Sequence, residues 1–154
     1  MKKNGLNKLL ALLLALVMVL ALAACGNKDQ DNDGAGDDAN IVTDGVVADG
    51  ATVGEGKTAF TVEVVQLDGT SITFTVNTDK ATVGEALLEL GIVAGDDTEY
   101  GLYVKTVNGV TLDFDTDGAY WAFYINGEYA MTGVDATNIE AGATYALKAE
   151  KAEG

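Results

Sequence analysis

Two stretches of this chain spell Asp-x-Asp-x-Asp-Gly: Asp29 to Gly34 and Asp113 to Gly118. Alternating carboxylates closed by glycine open a calcium loop of the EF-hand type, which also needs a bidentate glutamate at its twelfth position. That position is Asn40 counted from Asp29 and Tyr124 counted from Asp113. The plainer reading is a solvated acidic tether for the first stretch and an acidic loop between strands for the second. Asp113, Asp115 and Asp117 are the better calcium candidates because they fall inside the expected domain. Other chemistry is sparse. The chain has no histidine, which removes the commonest general base and metal ligand. It has no arginine either, so bidentate capture of a carboxylate or phosphate is missing. With 24 acidic residues, close carboxylate pairs arise by chance. No nucleophile elbow, phosphate loop or zinc spacing appears. We therefore expect no catalytic residues, no enzyme activity and no cofactor.

Aromatic residues offer more. Tyr120 to Gly133 holds the only tryptophan and a dense run of tyrosines, with Asn126-Gly127 at its centre. Asn-Gly between two strand-like runs is a strong hairpin signal, since both central turn residues take positive φ. A two-residue turn there sets Ile125 opposite Glu128, Tyr124 opposite Tyr129 and Phe123 opposite Ala130. Opposed residues share a sheet face. One face then carries Trp121, Phe123, Ile125 and Ala130 and is expected in the core. The other carries Tyr120, Ala122, Tyr124, Tyr129 and Met131. Tyrosines combine broad contact area with a polar tip at small entropic cost. Tyr120, Tyr124, Asn126, Tyr129 and Met131 are accordingly the candidate ligand-binding residues. Ordinary cross-strand pairing explains the same tyrosines equally well.

Targeting and charge narrow the setting. Met1 to Lys8 is basic, Leu9 to Leu20 is apolar, and Leu22-Ala23-Ala24-Cys25-Gly26 follows. This resembles a bacterial lipoprotein signal peptide with its lipobox, which implies cleavage before Cys25 and lipidation of that residue. The apolar run is short of the roughly 20 residues that span a bilayer, and small residues crowd the cut. Three of the nine lysines lie in this segment and all 24 acids lie beyond it, so the mature part carries a net −18. Such a charge disfavours nucleic acid and bare anionic membrane as partners. Cys25 is the only cysteine, so no internal disulfide or thiolate cluster can form.

The elements that must position the tyrosines follow from periodicity. Residues 1–24 form the expected signal peptide, and residues 25–56 a lipidated, acidic and Gly-rich tether. Residues 57–151 form the folded domain. Its acidic start leaves the tether too polar and too charged to offset its ordering entropy. Ile41 to Gly56 is either more linker or an irregular strand. Phe60, Val62 and Val64 alternate with polar residues, as do Ile72, Phe74 and Val76 after Asp68-Gly69, which predicts a hairpin. Thr82 and Glu85 make a capping box before a short helix that stops at Gly91. Strands are then expected at Leu102 to Val107, Val110 to Phe114, Tyr120 to Met131 and Thr144 to Ala149. One short helix on such a sheet is an α+β layer arrangement, and the expected fold is a β-grasp-like antiparallel sheet.

The aromatic hairpin Tyr120-Trp121-Ala122-Phe123-Tyr124-Ile125-Asn126-Gly127 is joined by Gly133-Val134-Asp135, Ile139, Gly142 and Tyr145. Together with Gly101-Leu102-Tyr103-Val104, Val107-Asn108-Gly109-Val110 and Thr82-Val83-Gly84-Glu85-Ala86-Leu87, it resembles the transcobalamin-like C-terminal domain. The resemblance implies a β-grasp-like domain that, in cobalamin carriers, closes over the corrin ring together with a helical domain. It makes cobalamin or a related corrinoid the leading ligand, captured at the extracytoplasmic face of a bacterial membrane for a membrane transporter. The alternative is a surface protein-interaction or adhesion module with no small-molecule ligand.

Overall fold

The computed structural model describes residues 42–153. The expected signal peptide, Cys25, the Asp29 to Gly34 run and the rest of the expected tether up to Ile41 lie outside the described residues.

Two eight-residue strands, β2 (Thr58–Val65) and β3 (Ser71–Thr78), form the first hairpin. Gly69 takes φ 88° in its turn, and the Asp68 carboxylate accepts the Thr70 amide at 2.8 Å. Alternation fixes the register: Val62 faces Phe74 and Phe60 faces Val76, and all four are buried. The helix α1 (Val83–Glu89) follows. Glu85 donates its amide to the Thr82 hydroxyl at 3.2 Å, and the Glu85 carboxylate takes the Thr82 amide at 3.2 Å. At seven residues the helix is too short to persist alone. It is held by Val83, Ala86 and Leu87, each at most 1% exposed in the core.

The main sheet has six strands in the order β1-β3-β2-β9-β7-β8, where β1 is Thr52–Val53, β7 Ala119–Ile125, β8 Glu128–Tyr129 and β9 Thr144–Lys151. A second sheet is made of β4 (Val93–Thr98), β5 (Gly101–Val107) and β6 (Val110–Thr111). Together with α1, it packs on the side of the main sheet that carries the core. The class is α+β, as expected, and both sheets are open.

The expected all-antiparallel sheet is corrected to a mixed one. The last strand, β9, enters between β2 and β7 rather than at an edge. It runs antiparallel to β7, with Phe123 opposite Leu147, and therefore parallel to β2, with Val62 opposite Tyr145. Its middle residues, Tyr145, Ala146 and Leu147, are buried in sequence, as suits a central strand.

The packed part begins before Lys57. β1 runs parallel to β3, and Val47 and Val53 are 1% and 0% exposed. The buried Asn108 side chain holds this segment like a strand: its Oδ1 accepts the Val47 amide at 2.7 Å and its Nδ2 donates to the Val47 carbonyl at 3.3 Å. Two further revisions concern the acidic loops. β4 was not expected, because Gly95-Asp96-Asp97 has poor strand propensity. It pairs with β5 through a bulge at Ala94/Gly95. The strand expected from Val110 to Phe114 stops at Thr111, because Asp113 caps a single helical turn, α2 (Phe114–Asp117).

Among the described residues, no helix is long and apolar enough to cross a membrane.

Candidate binding face

β7 divides its side chains as its pleat requires. Trp121 and Phe123 point into the core at 7% and 9% exposure, and the Trp121 indole donates to the Lys105 carbonyl at 3.1 Å. Tyr120, Ala122 and Tyr124 point the other way. Asn126 and Gly127 both take positive φ, 49° and 86°, so the turn has the expected form. Tyr124 stands opposite Tyr129, and Ile125 opposite Glu128.

The register of β9 adds two residues that the sequence reading missed. Glu150 lies opposite Tyr120, Lys148 opposite Ala122 and Ala146 opposite Tyr124. The Tyr120 hydroxyl donates to Glu150 Oε2 at 3.2 Å, and the Tyr124 hydroxyl to Oε1 at 2.5 Å. One carboxylate thus joins two tyrosines. The Tyr124 hydroxyl is pushed up to about 12, first by its bond to Glu150 and then by burial. Burial raises Tyr120 first, with Glu150 adding to it. Both phenols therefore stay protonated as donors throughout the neutral range. The Tyr124 and Tyr129 rings meet edge-on, 5.5 Å apart at 88°, and the Lys148 ammonium lies 4.8 Å from the Tyr124 ring centre. Alternation along Ala146-Lys148-Glu150 was visible in the sequence, but which strand they would lie beside was not.

The structure brings Tyr120, Tyr124 and Tyr129 onto one face. Tyr129 is 58% exposed, and Met131, beyond the end of β8, is 94% exposed. Asn126 has a different job: its Oδ1 accepts the Thr144 amide at 2.9 Å, tying the turn to β9. The face is open. Among the described residues no element packs over it, and three clefts lie elsewhere. One of 520 Å³ lies between Val42, Glu55 and α1, one of 500 Å³ at the β4–β5 turn, and one of 260 Å³ beside Trp121 and Leu67. None of the three is lined by Tyr120, Tyr124, Asn126, Tyr129 or Met131.

The acidic turn is organised inward. Asp113 Oδ1 accepts the amides of Asp115 and Thr116 at 2.9 and 3.1 Å, and Asp117 Oδ2 accepts the Asp113 amide at 2.8 Å. The Thr116 amide is the main cause of the lowered pKa of Asp113. Two of the three carboxylates thus cap their own turn. Among the described residues, no group of three or more His, Cys, Asp or Glu side chains could hold a metal ion.

The fold and this face define a small α+β domain: helix and core on one side of a mixed sheet, tyrosines on the other. Residues 80–150 match the family model described as Domain of unknown function (DUF4430). A crystal structure from Ruminococcus gnavus ATCC 29149, described as a "putative metal binding protein", is 31% identical with a TM-score of 0.60, covering 63% of this chain and 100% of that one. The chain belongs to the family of that protein. Haptocorrin in complex with Cbi aligns at 14% identity and a TM-score of 0.45, over 66% of this chain and 27% of haptocorrin. No curated protein matches the chain.

Proposed function

We propose that this protein is a non-catalytic binding module, held on the extracytoplasmic face of a bacterial membrane by lipid on Cys25. The acidic run that follows Cys25 is its tether, and the β7–β8 tyrosine face is its contact surface. The observation that carries this reading is the open face itself, with Tyr120 and Tyr124 fixed on Glu150 and Tyr129 exposed at the rim. A small-molecule site is normally concave and covers most of its ligand. An open face covers one side only, so a second surface must complete the contact. The first reading is therefore docking of a surface protein or membrane transporter.

A second reading is favoured by the resemblance of residues 120–127 to the transcobalamin-like domain. In it, cobalamin or another corrinoid is pressed between this face and the partner. The β-grasp-like form of the domain is supported by the order β3-β2-β9-β7, with β2 and β9 parallel at its centre and α1 following the first hairpin.

A photo-crosslinking side chain placed at Tyr129 in the membrane-anchored chain should capture one discrete partner, and the same group at Asp68 should not. Equal capture from both positions would sink the docking reading. Titration of the lipid-free mature chain with cobalamin, alone and with the captured partner, tests the second reading. Corrin absorbance unchanged at high micromolar concentration in both cases would remove it. Mass spectrometry of the membrane-extracted chain should find acyl chains on Cys25, and Cys25→Ser should release the protein from the membrane fraction.

A further inference from the structure

The β4–β5 hairpin is built in two parts. Ala94 pairs with Thr106 and Gly95 with Val104, so Lys105 is an extra, unopposed residue. Its carbonyl leaves the ladder and accepts the Leu112 amide at 2.8 Å and the Trp121 indole at 3.1 Å. On one side of this bulge the hairpin is firmly anchored. Val93 and Val107 are buried there, and the Asn108 amide donates to the Ile92 carbonyl at 2.8 Å. On the other side, Gly95 to Tyr100 are all exposed, and Leu102 and Val104 are half-buried. Among the described residues, one hydrogen bond joins residues 95–104 to anything outside the second sheet: the Leu102 amide donates to Asp135 Oδ2 at 3.1 Å.

That carboxylate stands on a fixed base. It belongs to a single 3-10 turn, Val134–Ala136. Val134 is buried, and the Thr137 carbonyl just beyond it accepts the amide of Val83, at the start of α1, at 3.0 Å. Glycines from three stretches leave room for it. A methyl carbon at Gly101, where φ is 105°, would lie 2.8 Å from Oδ2. One at Gly133 would lie 2.9 Å from Oδ1, and one at Gly84 2.7 Å from the Asp135 Cα. Residues 84, 101 and 133–135 thus meet around one carboxylate.

We propose that residues 95–104 form a hinged arm, with its hinge at the Lys105 bulge and its latch at Asp135. A segment with few buried side chains and one outside hydrogen bond opens locally while the core stays closed. Tyr100, at 91% exposure, Tyr103 and the 500 Å³ cleft that they line with Leu102 all lie on the arm. The latch therefore decides whether that cleft is held in a fixed place beside the Val134–Ala136 turn. Neither hinge nor latch uses a residue of the tyrosine face, so the arm opens or stays closed regardless of docking there.

Amide hydrogen exchange in the lipid-free mature chain, followed residue by residue by NMR, is the test. The hydrogen-bonded amides of residues 95–104 should share one protection factor, lower than those of Val107 and Leu147. Asp135→Ala should speed exchange along the arm by about ten- to a hundredfold, the range for losing one hydrogen bond to a charged acceptor. Val107, Asn108, Tyr145 and Leu147 should keep their parent rates. Asp135→Asn, which retains an acceptor oxygen, should restore most of the protection. An unchanged Leu102 amide in Asp135→Ala would remove the latch. Equal acceleration of the core strands, or failure of Asp135→Ala to fold, would make Asp135 an ordinary structural tie and remove the arm. Exchange that quickens gradually toward Tyr100, with no step at Lys105, would replace the hinge by simple fraying.

Discussion

The two faces of β7 come from one seven-residue strand and differ in what holds them. Trp121 and Phe123 are fixed by burial, and Phe123 stacks on Tyr145 with ring centres 6.1 Å apart. Tyr120 and Tyr124 are fixed by hydrogen bonds to a carboxylate on the neighbouring strand, on a face that nothing among the described residues covers. Burial gives stability without accessibility. Hydrogen bonding to a partly exposed acid gives orientation while leaving the rings available, which is what a contact surface needs.

The sharpest way to break the comparison is to truncate one side chain from each face. Phe123→Ala removes a ring from the core and should lower stability by about 3–5 kcal/mol, measured by chemical denaturation. Tyr124→Ala should move the denaturation midpoint far less, because its ring is half-exposed and opposes Tyr129 on the open face. Comparable losses from the two would mean that the tyrosine face is part of the core. Partner capture should invert the ranking: Tyr124→Ala should reduce it in a chain that remains folded.

A middle-sized effect separates the two Asn-Gly turns. Asn108 and Asn126 take nearly the same φ, 48° and 49°, and each uses its carboxamide to hold a distant backbone amide. Asn108 is 8% exposed and binds both polar groups of Val47. Asn108→Gly keeps the turn and deletes the clamp, leaving buried groups unpaired, at an expected cost of about 1–3 kcal/mol. Hydrogen exchange should show Val47 and its neighbours losing protection first. Asn126→Gly, at the exposed turn, should cost less than Asn108→Gly in the same denaturation assay.

Local signals were legible in the sequence wherever neighbours along the chain decide the outcome. The Thr82–Glu85 capping box, the Asp68-Gly69 turn and the pairing of Tyr124 with Tyr129 all depend on residues close in sequence. What depended on distant partners was not legible. Val47 looks like part of a Gly-rich linker until Asn108, 61 positions away, supplies its hydrogen bonds. β9 alternates visibly, yet its place between β2 and β7 is set by pairing on both sides. That placement puts Glu150 under Tyr120 and Tyr124. The tyrosine half of the candidate site was therefore visible, and the Glu150–Lys148 half was not. Asp113 to Gly118 errs in the opposite direction, since its calcium-like spacing serves a cap within one helical turn.

The smallest effect tests the bond that distinguishes the open face. Tyr124 ionises near 12 in the folded chain, against 10.0 unperturbed, because Glu150 accepts its proton in a hydrogen bond. A group whose folded pKa is raised favours the folded state while it is protonated. That contribution is complete below about pH 10 and is lost as pH rises toward about 12. Tyrosinate absorbance should thus show a late step near pH 12 that Tyr124→Phe removes. Glu150→Gln removes the acceptor charge and should bring the Tyr124 step down toward pH 10, leaving little to lose across the same range. An unchanged late step in Glu150→Gln would mean that burial alone holds the phenol, and the open face would then resemble the core more than its exposure suggests.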